Sequence, residues 1–357
     1  MTTTPTPLAA LIDSVAPVDA TAAAAAEARH LELTKPPGSL GRLEAVGARL
    51  AAIAGRVDPP SPTPAVVAVF AGDHGVHAEG VSPWPQEVTA QMIANFCGGG
   101  AAINAIARAN GLRVAVVNAG VATPVADHPD LRNTPVRAGT DNLRLGPAMS
   151  VDDAAAAVSL GAEVAAAEVA AGARCLLTGD MGIANTTPSA AVIAVAAGVD
   201  VTAITGRGTG IDDETLTLKR AVLADAVGRA GAVTGLDLAA ELGGLEIAAL
   251  AGYCLGGAVA RVPVIVDGVI ALAGAVLAHQ LQPLVGGYLI AGHRSVEPAA
   301  TTALDHLGLE PLVDLDLRLG EGTGAALAHP LVVAAVEVLN TMATFAEAAV
   351  AGQEDDR

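Results

Sequence analysis

From residue 65 onward, short apolar runs alternate with longer helical stretches, and most runs end in a polar, glycine-bearing loop. The runs are 65–71, 113–118, 175–178, 201–205, 262–266 and 288–291. The first is apolar throughout, which reads as a strand buried on both faces. Between and after the runs, the pattern predicts helices over 85–109, 151–171, 187–197, 213–230, 239–258, 269–278, 297–307 and 327–349. Strand–helix alternation of this kind buries its strands as a parallel sheet covered by helices on both faces. An eight-stranded barrel is the competing closure, and six strands favour the open sheet. The expected fold is α/β, with an open, mostly parallel, Rossmann-like sheet.

The two chain ends do not share this rhythm. Residues 8–15, 20–33 and 40–53 read as helices, the last two separated by Lys35-Pro36-Pro37-Gly38-Ser39, where two prolines cannot continue a helix. A proline-rich linker, 59–64, leads into the first strand. The expectation is a small helical domain made of 1–60 and 328–357 beside a large α/β domain of 61–327.

With 52% hydrophobic and only 16% charged residues, the chain can bury a large core, and with 2% aromatics that core must be built from Ala, Val, Leu and Ile. The net charge of −18 and the absence of a Lys/Arg cluster argue against a nucleic-acid partner. Cys97, Cys175 and Cys254 are dispersed and read as buried small hydrophobes in a reducing compartment. Neither apolar run, 247–260 or 268–278, is long enough to predict a membrane span. The start, Met1-Thr2-Thr3-Thr4-Pro5, has no basic region of a secretory signal, so a cytoplasmic location is expected.

In an open parallel sheet, ligands bind beyond the C-terminal strand ends, so the loops there carry the functional reading. Gly72-Asp73-His74-Gly75 offers acid–base groups or a loop brace. Asn185-Thr186-Thr187-Pro188 reads as a helix start, either a plain cap by Thr186 or Thr187, or amides free to hold a phosphate. Gly206-Arg207-Gly208-Thr209-Gly210 can converge amides on an anion, with Arg207 and Lys219 as scarce nearby cations. It is neither a P-loop nor a dinucleotide fingerprint. Asp212-Asp213 is either a Mg²⁺–diphosphate signal or a helix cap at Asp213. Asp267 and His293 stand at strand ends. His74 and His77 lack metal-ligand spacing, and no metal or cofactor is expected. In Gly320-Glu321-Gly322-Thr323-Gly324, three glycines rule out a regular helix or strand interior. Glu321 is then either a capping acid at a turn or a carboxylate held against a ligand. No GxSxG supports a serine hydrolase.

Several of these segments, taken in order, resemble one family. Lys35-Pro36-Pro37-Gly38-Ser39-Leu40-Gly41-Arg42-Leu43-Glu44, Ala71-Gly72-Asp73-His74-Gly75-Val76, Glu79-Gly80-Val81-Ser82, Asn185-Thr186-Thr187-Pro188 and Arg318-Leu319-Gly320-Glu321-Gly322-Thr323-Gly324-Ala325 are similar to motifs of the nicotinate-nucleotide–dimethylbenzimidazole phosphoribosyltransferases. The resemblance runs from about residue 31 to 347. It implies a homodimer that moves the phosphoribosyl group of nicotinate mononucleotide to 5,6-dimethylbenzimidazole, giving α-ribazole 5′-phosphate and nicotinate for the cobalamin nucleotide loop. A related enzyme using adenine or a phenolic acceptor is the alternative. The resemblance makes Glu321 the general base and Asp180 an assisting acid. It places Pro37, Ser82 and Gln91 near the benzimidazole. Asn185, Thr186, Thr187, Gly206, Arg207, Gly208, Lys219, Asp267, His293, Gly320 and Gly322 are the further substrate-binding candidates. Two departures stand out. The family usually has Glu where this chain has Asp180, and Val269-Ile270-Ala271-Leu272 replaces the more usual Phe and Ser.

Overall fold

The computed structural model describes residues 7–351. Six segments form one sheet: β1 (Ala65–Gly72), β2 (Arg113–Gly120), β3 (Leu131–Asn133), β4 (Cys175–Met181), β5 (Val264–Val266) and β6 (Leu289–Ala291). They lie in the order β3-β2-β1-β4-β5-β6, and every neighbouring pair is parallel. This is the doubly wound order, which reverses direction between β1 and β4 and opens a crevice beyond their C-terminal ends. Side chains of β1 alternate between two cores, as a pleated strand requires. Val66, Ala68 and Phe70 join one core, and Val67, Val69 and Ala71 join the other.

The helices are α1 (Pro7–Asp13), α2 (Ala20–Glu32), α3 (Arg42–Ala54), α4 (Val88–Cys97), α5 (Ala102–Ala109), α6 (Val151–Ala170), α7 (Thr186–Ala197), α8 (Val201–Ile204), α9 (Asp213–Ala230), α10 (Gly235–Leu242), α11 (Leu245–Val259), α12 (Val269–Leu281), α13 (Pro298–Leu307) and α14 (Thr323–Thr341). α6 and α11 approach backbone to backbone. A Cβ on Gly161 would overlap the carbonyl of Ala249, and one on Gly252 would overlap that of Val158. Alanine and glycine faces thus fill the core by close approach, which explains how so few aromatics suffice.

The structure corrects the sequence reading in several places. Residues 201–205 are not a strand. Asp200 caps the one-turn helix α8 by accepting the amide of Thr202 at 2.9 Å, and Val201 and Ile204 face inward three residues apart. A strand is found instead at β3, whose only apolar residue is Leu131; Asn133 is tied to Asn118 of β2 at 2.8 Å. The stretch 85–109 is two helices, broken at Gly98-Gly99-Gly100, and 239–258 is broken at Gly243-Gly244. The last helix begins at Thr323, inside the glycine motif, and ends at Thr341.

The chain ends meet. α2, α3 and the far end of α14 share a small core of Ala26, Ala48, Ala51 and Leu339, and Leu33 pairs antiparallel with Thr344. α1 packs elsewhere, on α6 and α11. Among the described residues, α14 alone has the length and apolarity of a membrane-crossing helix. It contains Pro330, and His329 and Asn340 bond the carbonyls of Pro62 and Pro59 at 3.0 and 2.8 Å, so it is built as a core helix.

Candidate active site

The crevice between β1 and β4 holds a dense group of buried carboxylates. Asp180 sits near the end of β4 and is buried. Its Oδ2 accepts the Asn185 side-chain amide at 3.0 Å, while Oδ1 has no protein partner. Its backbone carbonyl accepts the Glu321 amide at 3.2 Å, and a Cβ on Gly320 would stand 3.1 Å from Oδ2. The absence of a side chain at Gly320 therefore lets the 320–322 turn lie directly on the Asp180 carboxyl.

Glu321 has a φ of 63°, between Gly320 at 84° and Gly322 at 87°. A left-handed glutamate costs on the order of 1–3 kcal/mol, and such strain is kept where the surroundings over-determine it. Here the side chain is buried, and its Oε2 accepts the Ile103 amide at 3.1 Å. Ile103 lies in the first turn of α5, so the helix break at Gly98–Gly100 brings a helix N-terminus to the carboxylate. Burial raises the proton affinity of Glu321, the Ile103 amide opposes this, and the Asp267 charge adds to it; the net direction is upward. Burial, then Asp267, hold Asp180 well above the usual carboxylate range, against the Asn185 hydrogen bond and with further help from Glu246 and Glu321.

Asp267 and His293 are turned inward. Asp267 accepts the amides of Ala325 at 2.8 Å and Gly322 at 3.2 Å, so it anchors the start of α14. His293 stands 3.5 Å from Asp267, with its ring packed where a side chain on Gly324 would be. Both hold the glycine motif in place from behind.

On the other side of the 180–186 turn, the phosphate candidates come together. Lys219 is buried and donates to Thr186 Oγ1 at 2.8 Å and to the Gly206 carbonyl at 3.3 Å. Burial lowers its pKa to about 8, against the pull of Glu297. One amide of the glycine loop meets a carboxyl group of the chain itself: Glu297 accepts the Gly208 amide at 2.7 Å and packs against Gly206. Arg207 points outward to Asp213. Arg318, also exposed, donates to the Gly208 carbonyl at 3.2 Å, and both arginines line the cleft beside the loop. A cleft of about 510 Å³ opens here, lined by Gly206, Gly208, Arg220, Glu297 and Arg318. Asp212, not Asp213, caps α9, accepting the Thr215 amide at 2.8 Å.

Other expectations fare differently. The start of α7 has no side-chain cap; Asn185 turns to Asp180 instead, and Thr187 is fully buried. The amides of Asn185, Thr187 and Ser189 are bonded to chain carbonyls, and Pro188 has none. Ser82 is half-buried and accepts the Trp84 amide at 3.4 Å, Gln91 is exposed on α4, and Pro37 is exposed between α2 and α3. Sequence reasoning misses Glu246, Glu297 and Arg318. Glu246 has a signal, being the single charge at the head of an apolar helix. Glu297 shares a loop with His293 and is the only acid there.

Glu321 and Asp180 thus meet as buried carboxylates at the switch point of a doubly wound α/β sheet, where such folds bind their ligands. A family model described as Phosphoribosyltransferase matches residues 15–350. The nicotinate-nucleotide–dimethylbenzimidazole phosphoribosyltransferase of Salinispora tropica is 53% identical over 354 residues, covering 95% of this chain and 97% of that protein. Its counterpart from Chloroflexus aurantiacus is 50% identical over 341 residues, covering 95% and 97%. The crystal structure of CobT from Thermus thermophilus superposes with a TM-score of 0.90 at 49% identity, covering 93% of this chain and 99% of that one. The chain belongs to the nicotinate-nucleotide–dimethylbenzimidazole phosphoribosyltransferase family. It is a phosphoribosyltransferase of cobalamin biosynthesis.

Proposed function

We propose that this enzyme transfers the 5-phosphoribosyl group of nicotinate mononucleotide to 5,6-dimethylbenzimidazole, with inversion at C1 of the ribose. The observation that carries the mechanism is the contact between Glu321 and Asp180, two buried carboxylates joined through the 320–322 turn. One benzimidazole nitrogen attacks C1 while the ring N–H of the other gives its proton to Glu321. The electrons of the breaking C1–N bond pass to the pyridinium nitrogen, so nicotinate leaves with a neutral ring. Attack from the opposite face turns a β-linked donor into an α-linked product. A base with raised proton affinity suits this step, because a carboxylate of ordinary pKa holds a proton poorly near neutrality.

The carboxylates also suit the donor's charge. Positive charge on the pyridinium spreads to the ribose as the bond breaks, and oriented carboxyl oxygens in a buried site stabilise it there. Asp180 Oδ1, without a protein partner, is the atom we assign to the nicotinate ribose side. Lys219 and the Thr186 hydroxyl are assigned to the phosphate, with Arg318 beside them; Gly206 and Gly208 are assigned to the wall of that site, since Glu297 takes the Gly208 amide. Ser82, Gln91 and Pro37 are assigned to the benzimidazole side.

We also read the two chain ends, 1–60 and 328–357, as a small domain beside the large one, built on α2, α3 and the far end of α14, while α1 lies on α6 and α11 of the large domain. The enzyme is expected to work in the cytoplasm as a homodimer. The deciding experiment incubates purified protein with nicotinate mononucleotide and a panel of dimethylbenzimidazole, adenine and phenolic acceptors, with products identified by mass. α-Ribazole 5′-phosphate as the main product supports the reading. Preferential use of adenine or a phenol would move the acceptor assignment, and would point to Val269-Ile270-Ala271-Leu272 as the place where the pocket changed.

A further inference from the structure

Behind the acid pair lies a second buried ionic group that the proposed reaction does not use. His74 follows β1, and its Nε2 is 2.7 Å from Glu246 Oε1; both side chains are fully buried. Glu246 stands in the first turn of α11, the turn created by the break at Gly243-Gly244. Three glycines make room for the pair. A Cβ on Gly72 would lie 2.6 Å from Glu246 Oε2, one on Gly244 would overlap the His74 ring, and one on Gly182 would lie 3.3 Å from His74 Nε2. The sheet, the start of α11 and the turn after β4 thus close around this one contact.

A buried charge pair stabilises a fold poorly, because desolvation offsets most of the attraction. Its retention at the switch point calls for another role, and the contacts name one. Gly182, against the His74 ring, also lies against Asn185: its Cβ position is 3.4 Å from the Asn185 Cβ. The Asn185 amide donates to the Gly182 carbonyl at 3.2 Å, and the Asn185 side chain holds Asp180. The same turn carries Ala184 at a φ of 72°, a strained conformation for a residue with a Cβ. We propose that Glu246 and His74 are positioning residues: the pair braces the 180–185 turn from behind and so sets the Asp180 carboxyl against the Glu321 turn.

The charge state fits a brace. Burial alone would keep the His74 ring neutral, but Glu246 and Asp73 outweigh it, and the net direction is toward the imidazolium. An ion pair resists sliding more than a neutral contact does. The Asp73 carboxylate is itself fixed by the Ala122 amide at 2.9 Å, so the brace is held on the β1 side as well.

This inference rests on the proposed reaction, and the test separates the two. Wild type, Glu321→Gln, Glu246→Gln, His74→Gln, His74→Ala and the Glu246→Gln/His74→Ala double variant are compared by kcat, by KM for each substrate and by thermal melting. A loosened catalytic constellation lowers kcat and leaves ground-state binding alone, so kcat is expected to fall by about tenfold or more with both KM values within about twofold. The double variant should be no slower than the slower single, and His74→Gln, which keeps a donor for Glu246, should retain more activity than His74→Ala. If His74→Ala fails to fold, His74→Gln and Glu246→Gln still decide. Wild-type kcat in both of these, or losses confined to KM, overturns the brace. Wild type without turnover, or unaffected by Glu321→Gln, overturns the proposed reaction and this inference with it.

Discussion

The Ile103 amide donates to Glu321 Oε2 at 3.1 Å, across the interface between the first turn of α5 and the 320–322 turn. A helix N-terminus favours the ionised carboxylate, while burial and Asp267 favour the protonated one. The net result is a carboxyl group of raised proton affinity, which suits a base. Glu321→Gln keeps an acceptor for Ile103 and loses the ability to take a proton. Turnover is expected to fall by about 10²-fold or more, the usual worth of a general base, with melting temperature little changed. Steady-state assays with product identified by mass, beside thermal melts, check this; a rate near wild type removes Glu321 from the base role.

The same residue predicts a pH dependence. The base works only when deprotonated, so kcat should climb with pH on the acid side. The upward direction places the midpoint above 4.5, the ordinary glutamate value. The climb should vanish from the residual activity of Glu321→Gln. A profile that is flat through the acid range down to the ordinary glutamate value would contradict the raised proton affinity.

Asp180 yields a stability prediction of opposite sense to the usual salt-bridged acid. Its proton affinity in the folded chain is raised well above the ordinary aspartate value of 3.8. Between the unfolded and the folded values the native state binds more protons, so stability falls as pH rises through that window. Asp180→Asn removes the titration and can still accept from Asn185. It is expected to melt higher than wild type, with a gain that grows as pH rises above the ordinary aspartate value, and to lose turnover. Thermal melts across that range test it; a variant that melts lower at every pH would mean that the carboxyl is ionised and paired in the fold.

β1, β2, β4, β5 and β6 were legible because they are largely apolar runs, whereas β3, with Leu131 alone apolar, was not; the glycines around Glu321 marked a turn, and only the resemblance gave that carboxylate a role. What escaped the sequence depended on contacts between distant segments. Val201–Thr205 is the local exception: its β-branched residues favour a strand, yet the segment is a helical turn capped by the neighbouring Asp200. The breaks at Gly98–Gly100 and Gly243–Gly244 are visible as glycines, but their consequence is not. Each starts a new helix at the site, one at Glu321 and one at His74. The glycine loop at 206–210 reads as an anion seat, and the chain fills that seat with its own Glu297, 89 residues beyond Gly208 in sequence. Arg207 lines the cleft as the sequence suggests, but its guanidinium is engaged by Asp213 and the Ile211 carbonyl, and Arg318, distant in sequence, joins it there.

Lys219 connects this loop to substrate affinity. It is neutral above and charged below its pKa of about 8, lowered chiefly by burial. Under its assigned role, KM for nicotinate mononucleotide should rise as pH passes that value, while KM for dimethylbenzimidazole stays level. Lys219→Met, which keeps the buried stem, should raise the KM for the nucleotide by about tenfold or more, in keeping with loss of one charge-assisted contact, and flatten its pH dependence. Equal changes in both KM values would take Lys219 out of the phosphate site.

Gly322 gives the most local test of why the motif needs its glycines. Its φ of 87° is strained for any L side chain, and a Cβ there would come within 2.5 Å of Val67 Cγ1 and 2.8 Å of the Thr178 carbonyl. The Thr178 atom is backbone in a central strand and cannot step aside. Gly322 also donates to Asp267 at 3.2 Å, so a shifted residue loses that bond as well. Gly322→Ala should therefore destabilise the fold by about 2–4 kcal/mol, the sum of overpacking and backbone strain, and displace Glu321 with it. Gly320→Ala meets the Asp180 side chain at 3.1 Å rather than backbone, and should lose turnover with a smaller fall in melting temperature. Chemical denaturation and kcat measured on both variants separate the two effects; a Gly322→Ala enzyme as stable as wild type would mean that the 320–322 turn can yield where the packing around β1 and β4 says it cannot.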